Sequence, residues 1–436
     1  MKKFISRSII ILICCFLVIV AFALWSTNTP TLTADQRALN TPDLIQKGSY
    51  LATLGDCAAC HTKPDAPMYS GGAAIKSPIG IIYPVNITPD KQNGIGEYTL
   101  NDFARAVRNG IRKDGVTLYP AMPYPSYSRL SDDDIKALFA YFQYGVKADA
   151  SANQPNEIAW PLSIRWPVAI WRKIYAPDAI AFNASHYPDD QIARGAYIVE
   201  GLGHCGTCHT PRAITLQEKG LDKRVPTYLA GGQIIDGWFT PSLHNDTSGL
   251  ENWTAKDIAA TLQFGRNDKS VVIGKPMNDV VEYSSSQWTE RDRQAVAAYL
   301  KSLPITNPEI SSSGVTATNK ESISQKTDVA FLYQTSCASC HGVQGEGKSQ
   351  IFPALAGNNT VLSPNPQTFI RLVLEGYDVP VFDTNLLPMR MPHFHDRLTD
   401  QQIADIITYT RNSWGNQASA VSAEQVKLGR DQLNDK

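Results

Sequence analysis

The sequence predicts an all-α protein of three tandem, loop-rich helical domains behind an N-terminal apolar segment. Three observations predict it. A five-residue motif, Cys-x-x-Cys-His, occurs three times, as Cys57-Ala-Ala-Cys60-His61, Cys205-Gly-Thr-Cys208-His209 and Cys337-Ala-Ser-Cys340-His341. A run of apolar residues at helical spacing, opening on Ser or Thr, closes each repeat. The chain has 436 residues, enough for about three domains of ordinary size.

The elements follow in order. Lys2, Lys3 and Arg7 precede an apolar run from Ile9 to Trp25. Residues 1–28 therefore read as a signal peptide or an N-terminal membrane anchor, and either one implies export. Ala21-Phe22-Ala23 resembles a cleavage site, and cleavage there removes Cys14 and Cys15.

The first domain spans 42–150. It enters its motif through Gly48-Ser-Tyr-Leu51, continues with a helix over Leu100 to Asn109, and closes on a helix begun by Ser131, with Ile135, Leu138, Phe139 and Phe142 on one face. The second, 187–304, repeats the plan with Gly195-Ala-Tyr-Ile198, a helix over Thr254 to Phe264, and Thr289 before Val296, Tyr299 and Leu300. The third, 327–418, departs at its entry, Ala330-Phe-Leu-Tyr333. Its last helix opens on Thr399 with Gln402 completing a capping box, then Ile403, Ile406 and Ile407. Gly48 and Gly195 sit inside helices, where glycine is costly, so they mark close approach of another backbone.

Residues 151–186 form a Trp/Pro-rich linker holding Trp160, Trp166 and Trp171. Residues 305–326 are rich in Ser, Thr and Asn and read as a flexible linker. Residues 419–436 read as a loosely held polar tail.

The repeated motif carries the chemistry. Two thiols two residues apart with an adjoining His form the attachment signature of a c-type haem. Cys57 and Cys60, Cys205 and Cys208, and Cys337 and Cys340 supply the thioether bonds, and His61, His209 and His341 the proximal iron ligands. Three sites imply three covalent haem c groups. Zinc has no need of a His after every second Cys, and its ligand pairs lie closer in sequence. A thioredoxin-like pair needs neither the His nor three copies. Six of the eight cysteines belong to these motifs, leaving none for a disulfide framework. A net charge of −1 gives no sign of nucleic-acid binding, and 43% hydrophobic residues fit soluble domains.

A haem that only transfers electrons has both axial positions filled, and His with Met is the usual pair in cytochromes c. Met122 follows His61 by 61 residues, Met277 follows His209 by 68, and Met391 follows His341 by 50. They precede the capped final helices by nine, twelve and eight residues. A proline beside each stiffens the loop that presents the sulfur. In the third repeat Met389, His393 and His395 compete with Met391. Met68 lies too close to its His, and His204, beside Cys205, is poorly placed for ligation. No flavin fingerprint, quinone-cofactor propeller repeat or catalytic triad is visible, so no residue is assigned to substrate chemistry.

Several stretches carry a family resemblance: Tyr119-Pro-Ala-Met-Pro-Tyr-Pro-Ser-Tyr127, Trp160-Pro-Leu-Ser-Ile-Arg-Trp-Pro167, Gly201-Leu-Gly-His-Cys-Gly-Thr-Cys-His-Thr-Pro-Arg212, Gly231-Gly-Gln-Ile-Ile-Asp-Gly-Trp238 and Phe352-Pro-Ala-Leu-Ala-Gly-Asn358. With these the chain resembles the three-haem cytochrome c subunit of membrane-bound periplasmic dehydrogenases. These include quinone-reducing alcohol dehydrogenases and flavin-dependent gluconate, sorbitol and fructose dehydrogenases. The resemblance implies three class I cytochrome c-like domains and the axial pairs His61 with Met122, His209 with Met277 and His341 with Met391. The family's Met-Pro-x-Phe followed by Arg-Leu matches Met391-Pro-His-Phe394 and Arg397-Leu398, which favours Met391 over Met389. It implies a partner, a catalytic subunit holding flavin or pyrroloquinoline quinone, and ubiquinone as acceptor at the periplasmic side of the bacterial inner membrane. On this reading the chain is not catalytic on substrate by itself. A cytochrome subunit of a molybdenum hydroxylase, or a free-standing donor to a terminal oxidase, is the alternative. The Trp-rich linker either docks on the bilayer or packs over the joint between the first two domains.

Overall fold

The structure is a computed structural model. It describes residues 34–246, 249–271, 274–304, 323–349, 351–382 and 388–434, and besides them positions 14, 21, 31 and 32. The expected signal or anchor thus lies almost wholly outside the described residues, as does most of the 305–326 linker. Among the described residues no helix is long and apolar enough to cross a membrane. The chain divides into two compact units. One is Met1–Asn183 with Glu200–His204; the other is Ala184–Val199 with Cys205–Lys436 and so contains both later motifs.

After a short turn of helix at Gln36–Leu39, the first unit continues with α1 (Pro42–Leu54), begun by proline with Asp43 in its first turn, and α2 (Cys57–His61). Then come the hairpin strands β1 (Ile75–Ser77) and β2 (Gly80–Ile82), α3 (Leu100–Asn109) and α4 (Asp132–Ala140). Thr99 caps α3 in a full capping box, and the helix ends at Gly110 with φ +64°. A side chain at Gly110 would meet the Tyr124 ring at 2.5 Å, so conformation and space both demand glycine there.

Residues 151–183 of the Trp/Pro-rich segment are an ordered part of this unit. Its strand β3 (Glu157–Ile158) pairs antiparallel with β2, with Gly80 opposite Ile158, and its helix α5 (Trp166–Tyr175) sets the Trp171 ring edge-on to Tyr124 at 6.5 Å.

The second unit holds α6 (Asp190–Tyr197), α7 (Gly206–His209), α8 (Ala255–Phe264), α9 (Lys275–Tyr283) and α10 (Glu290–Ser302). It continues with α11 (Ile323–Ser336), α12 (Ala338–His341), α13 (Gln367–Glu375), strands β4 (Tyr377–Val379) and β5 (Met389–Met391), α14 (Asp400–Arg411) and α15 (Ala423–Asn434). Ser131, Thr289 and Thr399 cap α4, α10 and α14, accepting from the backbone N–H groups of Asp134, Asp292 and Gln402, as the spacing predicts.

Each of the first two repeats is held by one helix crossing. A Cβ built on Gly48 would lie 1.9 Å from the Ala137 carbonyl oxygen of α4, and one on Gly195 2.0 Å from that of Ala295 in α10. Backbone meets backbone, the reason expected for both glycines. Beside each glycine runs an ion pair, Lys47 to Asp134 at 2.7 Å and Arg194 to Asp292 at 2.8 Å. The third repeat has no such glycine. There Tyr333 packs against Tyr409 and Trp414, with ring centres 5.6 and 5.0 Å away.

The polar tail expected at 419–436 is instead helix α15 packed on the third domain. Val426 is fully buried, Val421 nearly so, and Leu433 joins the same core. Gly429 lies close enough to α13 that an added Cβ would reach Ile370 at 3.0 Å. Ser422 and Gln425 form a reciprocal cap at its start. Polar composition hid a short apolar stripe.

Candidate functional site

Each Cys-x-x-Cys-His forms a single helical turn, α2, α7 and α12. A helical turn puts residues three and four apart on one face, so the first Cys of each motif shares a face with the second Cys and with the His. Burial pushes the Cys57 thiol up to about 12, with Asp56 and Cys60 adding to it. Burial and the paired Cys208 push Cys205 up to about 12, and burial and Cys340 push Cys337 up to about 11. Among the described residues no three His, Cys, Asp or Glu side chains gather as a metal site requires.

The histidines share one arrangement. His61 Nδ1 lies 2.6 Å from the Val85 carbonyl oxygen, His209 Nδ1 2.9 Å from that of Pro241, and His341 Nδ1 2.9 Å from that of Pro353. A carbonyl only accepts, so Nδ1 carries the proton and donates it. Nε2 is left with its lone pair and a fixed ring orientation, the state a metal-binding imidazole needs. Burial lowers each His pKa, partly offset by the carbonyl, and so favours the neutral ring. The sequence held no sign of these acceptors, which lie 24, 32 and 12 residues from their His.

The third domain surrounds its motif with a partly open cavity of about 170 Å³. Cys337, Cys340 and His341 line one side; Met389, Met391 and Phe394 line another; Phe352, Leu355, Val373 and Leu398 supply apolar wall. An apolar slot lined by thiols, a neutral imidazole and a thioether is the donor set of a covalent haem site. The residues fit that group.

The candidate Met residues sit in three local structures. Met122 occupies a turn in which its N–H donates to the Tyr119 carbonyl at 3.2 Å and its own carbonyl accepts from Tyr124 at 2.8 Å. Met391 lies in β5, opposite Tyr377, with Met389 two residues away on the same side of the strand, and both line the cavity. Met277 is in α9 behind Pro276, so a helix and not the expected loop carries it. All three are half-buried.

Met389 shares the cavity with Met391, whereas the other competitors do not line it. His395 Nδ1 pairs with Asp396 at 2.8 Å, His393 is exposed, and Met68 is also exposed. His204 packs edge-on to Tyr127, 5.8 Å between centres, and burial pushes its pKa down to about 4. The Tyr127 hydroxyl donates to the Gly55 carbonyl at 3.0 Å, and His204 hydrogen-bonds to the same carbonyl. His204 is thus a packed structural histidine of the first unit.

Helical domains closed around such motifs define a c-type cytochrome, and a cytochrome c family model matches residues 328–414, the third domain. The chain is 45% identical over 415 residues to the cytochrome c subunit of the quinone alcohol dehydrogenase of Gluconacetobacter polyoxogenes, covering 92% of this chain and 88% of that one. It is 45% identical over 395 residues to the gluconate 2-dehydrogenase cytochrome c subunit of Pantoea cypripedii, covering 88% of each. To the fructose dehydrogenase cytochrome subunit of Gluconobacter japonicus it is 38% identical over 414 residues, covering 88% of this chain and 82% of that one. The chain belongs to this family of dehydrogenase cytochrome c subunits.

Proposed function

We propose that this chain carries electrons through three covalent haem c groups, from a dehydrogenase catalytic subunit to ubiquinone, at the periplasmic face of the inner membrane. The observation that carries the reading is the threefold recurrence of an imidazole whose Nδ1 is held by a backbone carbonyl beside two cysteine thiols. Bound haem supplies a one-electron couple. Cys57 and Cys60, Cys205 and Cys208, and Cys337 and Cys340 fix it covalently, and His61, His209 and His341 orient and ligate the iron. Met122, Met277 and Met391 would supply thioether sulfur to the iron and would keep its potential high. The catalytic partner, with flavin or pyrroloquinoline quinone, acts on an alcohol, sugar acid or polyol.

Docking on the bilayer falls to the 151–186 strap, in which Trp160, Leu162, Trp166 and Ile174 are exposed among basic residues. The intact protein should show a mass increment of three haems per chain, and Cys205→Ala with Cys208→Ala should leave two. Carbon monoxide should not bind the reduced protein. Fewer than three haems, or stoichiometric carbon monoxide binding to any one, would overturn the reading.

A further inference from the structure

The 151–186 segment places two guanidinium groups beside the turn that carries Met122. Arg165 stacks on the Tyr119 ring, 3.6 Å from Cζ to the ring centre, and donates through Nη2 to the Thr117 carbonyl. Arg172, from α5, is only 6% exposed. Burial lowers the pKa of both guanidinium groups. Asp114 and Asp178 act on them from a distance, and among the described residues neither Arg forms an ion pair. Three buried polar atoms here find no hydrogen-bond partner among the described residues: Arg165 Nε, Arg172 Nε and Tyr124 Oη. A buried guanidinium without a counter-ion is costly, and two of them with a free hydroxyl call for an anion. The planar fork of Arg suits a carboxylate above all.

Tyr119 and Tyr124 flank Met122 by three and two residues. On the reading of Met122 as iron ligand, the haem of the first domain lies against this turn, and haem c carries two carboxylates of its own. We propose that Arg165 and Arg172, with the Tyr124 hydroxyl, receive the propionate groups of the first domain's haem. The strap is then part of that haem's binding site. Its cations keep positive charge at the haem edge and favour the reduced iron, a positioning and tuning role without any electron passing through Arg.

The test uses the full chain in its complex, with the three potentials resolved by spectroelectrochemistry. The first haem is the one lost in Cys57→Ala with Cys60→Ala. Arg172→Gln should lower that haem's potential and shift its propionate bending band in resonance Raman spectra, leaving three haems attached and the other two potentials unmoved. Arg172→Lys, which keeps charge but loses the fork, should restore the potential more than the band. If Arg172→Gln fails to accumulate, Arg165→Gln at the half-buried position serves with the same readouts. An unchanged potential and band, or a shift in another haem, would refute the assignment. Met122→Leu separates the two ideas. If it leaves the first haem untouched, Met122 is not its ligand, while the Arg variants still report on propionate binding at the haem identified by Cys57 and Cys60.

Discussion

At the scale of single residues, the two helix crossings carry ion pairs of unequal quality. Arg194 grips Asp292 with two hydrogen bonds, Nε to Oδ1 at 2.8 Å and Nη2 to Oδ2 at 2.9 Å, and the Asp292 side chain is 6% exposed. Lys47 reaches Asp134 with a side chain 46% exposed. Asp292→Ala should therefore cost about 2–3 kcal/mol, since it strands a forked and mostly buried partner. Asp134→Ala should cost under ~1 kcal/mol, because solvent screens the lysine. Urea unfolding of the two variants measures the difference, and equal midpoint shifts would contradict the argument. Arg411 is fully buried and donates to the carbonyls of Val361, Ser363 and Ser419. Arg411→Met leaves those acceptors stranded and should lower stability by roughly 3 kcal/mol. At this scale the covalent chemistry was legible, because Cys and His are named by a local five-residue pattern. The acceptors for the histidines were not, because a backbone carbonyl belongs to any residue type and leaves no letter in the sequence.

Among the elements, helix ends were the most readable feature. Thr99, Ser131, Thr254, Thr289 and Thr399 all cap helices, since a cap needs one side chain and one turn of backbone, both local. The same logic was available at Ser422 and Gln425, but the residues after them are too polar to announce α15. Deleting residues 421–436 should expose the core under Val421 and Val426. Each buried valine contributes roughly 1.5 kcal/mol, so the truncated protein should lose about 3 kcal/mol and unfold at lower urea. Gly48→Ala and Gly195→Ala force a carbon to within about two ångströms of a carbonyl oxygen. Each should cost ~3 kcal/mol or more, as overpacking does at its upper end. Thermal melts should show that loss, whereas Ala330→Gly in the third repeat should move stability by less than about 1 kcal/mol. Met277 shows where local reading stops. Proline at the second position of a helix and proline in a loop look alike in sequence.

For the whole molecule, three repeats in sequence do not make three separate bodies. The second and third domains share a compact unit, joined where the Tyr377 hydroxyl accepts from the Gly274 N–H at 3.1 Å and the Asn278 amide at 2.5 Å. Arg371 adds a bond to the Asp236 carbonyl at 2.7 Å and lies over the Trp238 ring. These two domains should unfold in a single calorimetric transition, and Arg371→Ala combined with Tyr377→Phe should split it in two. A split already present in the unaltered protein would count against a cooperative pair. Such pairing was invisible in the sequence, because its residues are scattered and its acceptors are partly backbone. The same backbone chemistry has an evolutionary consequence. The group that holds each motif imidazole is a peptide carbonyl, at Val85, Pro241 and Pro353, and no exchange of side chain can delete it. The letters around each motif can therefore differ while its histidine keeps its aim. The three histidines can thus keep one ring orientation while the side chains around them differ.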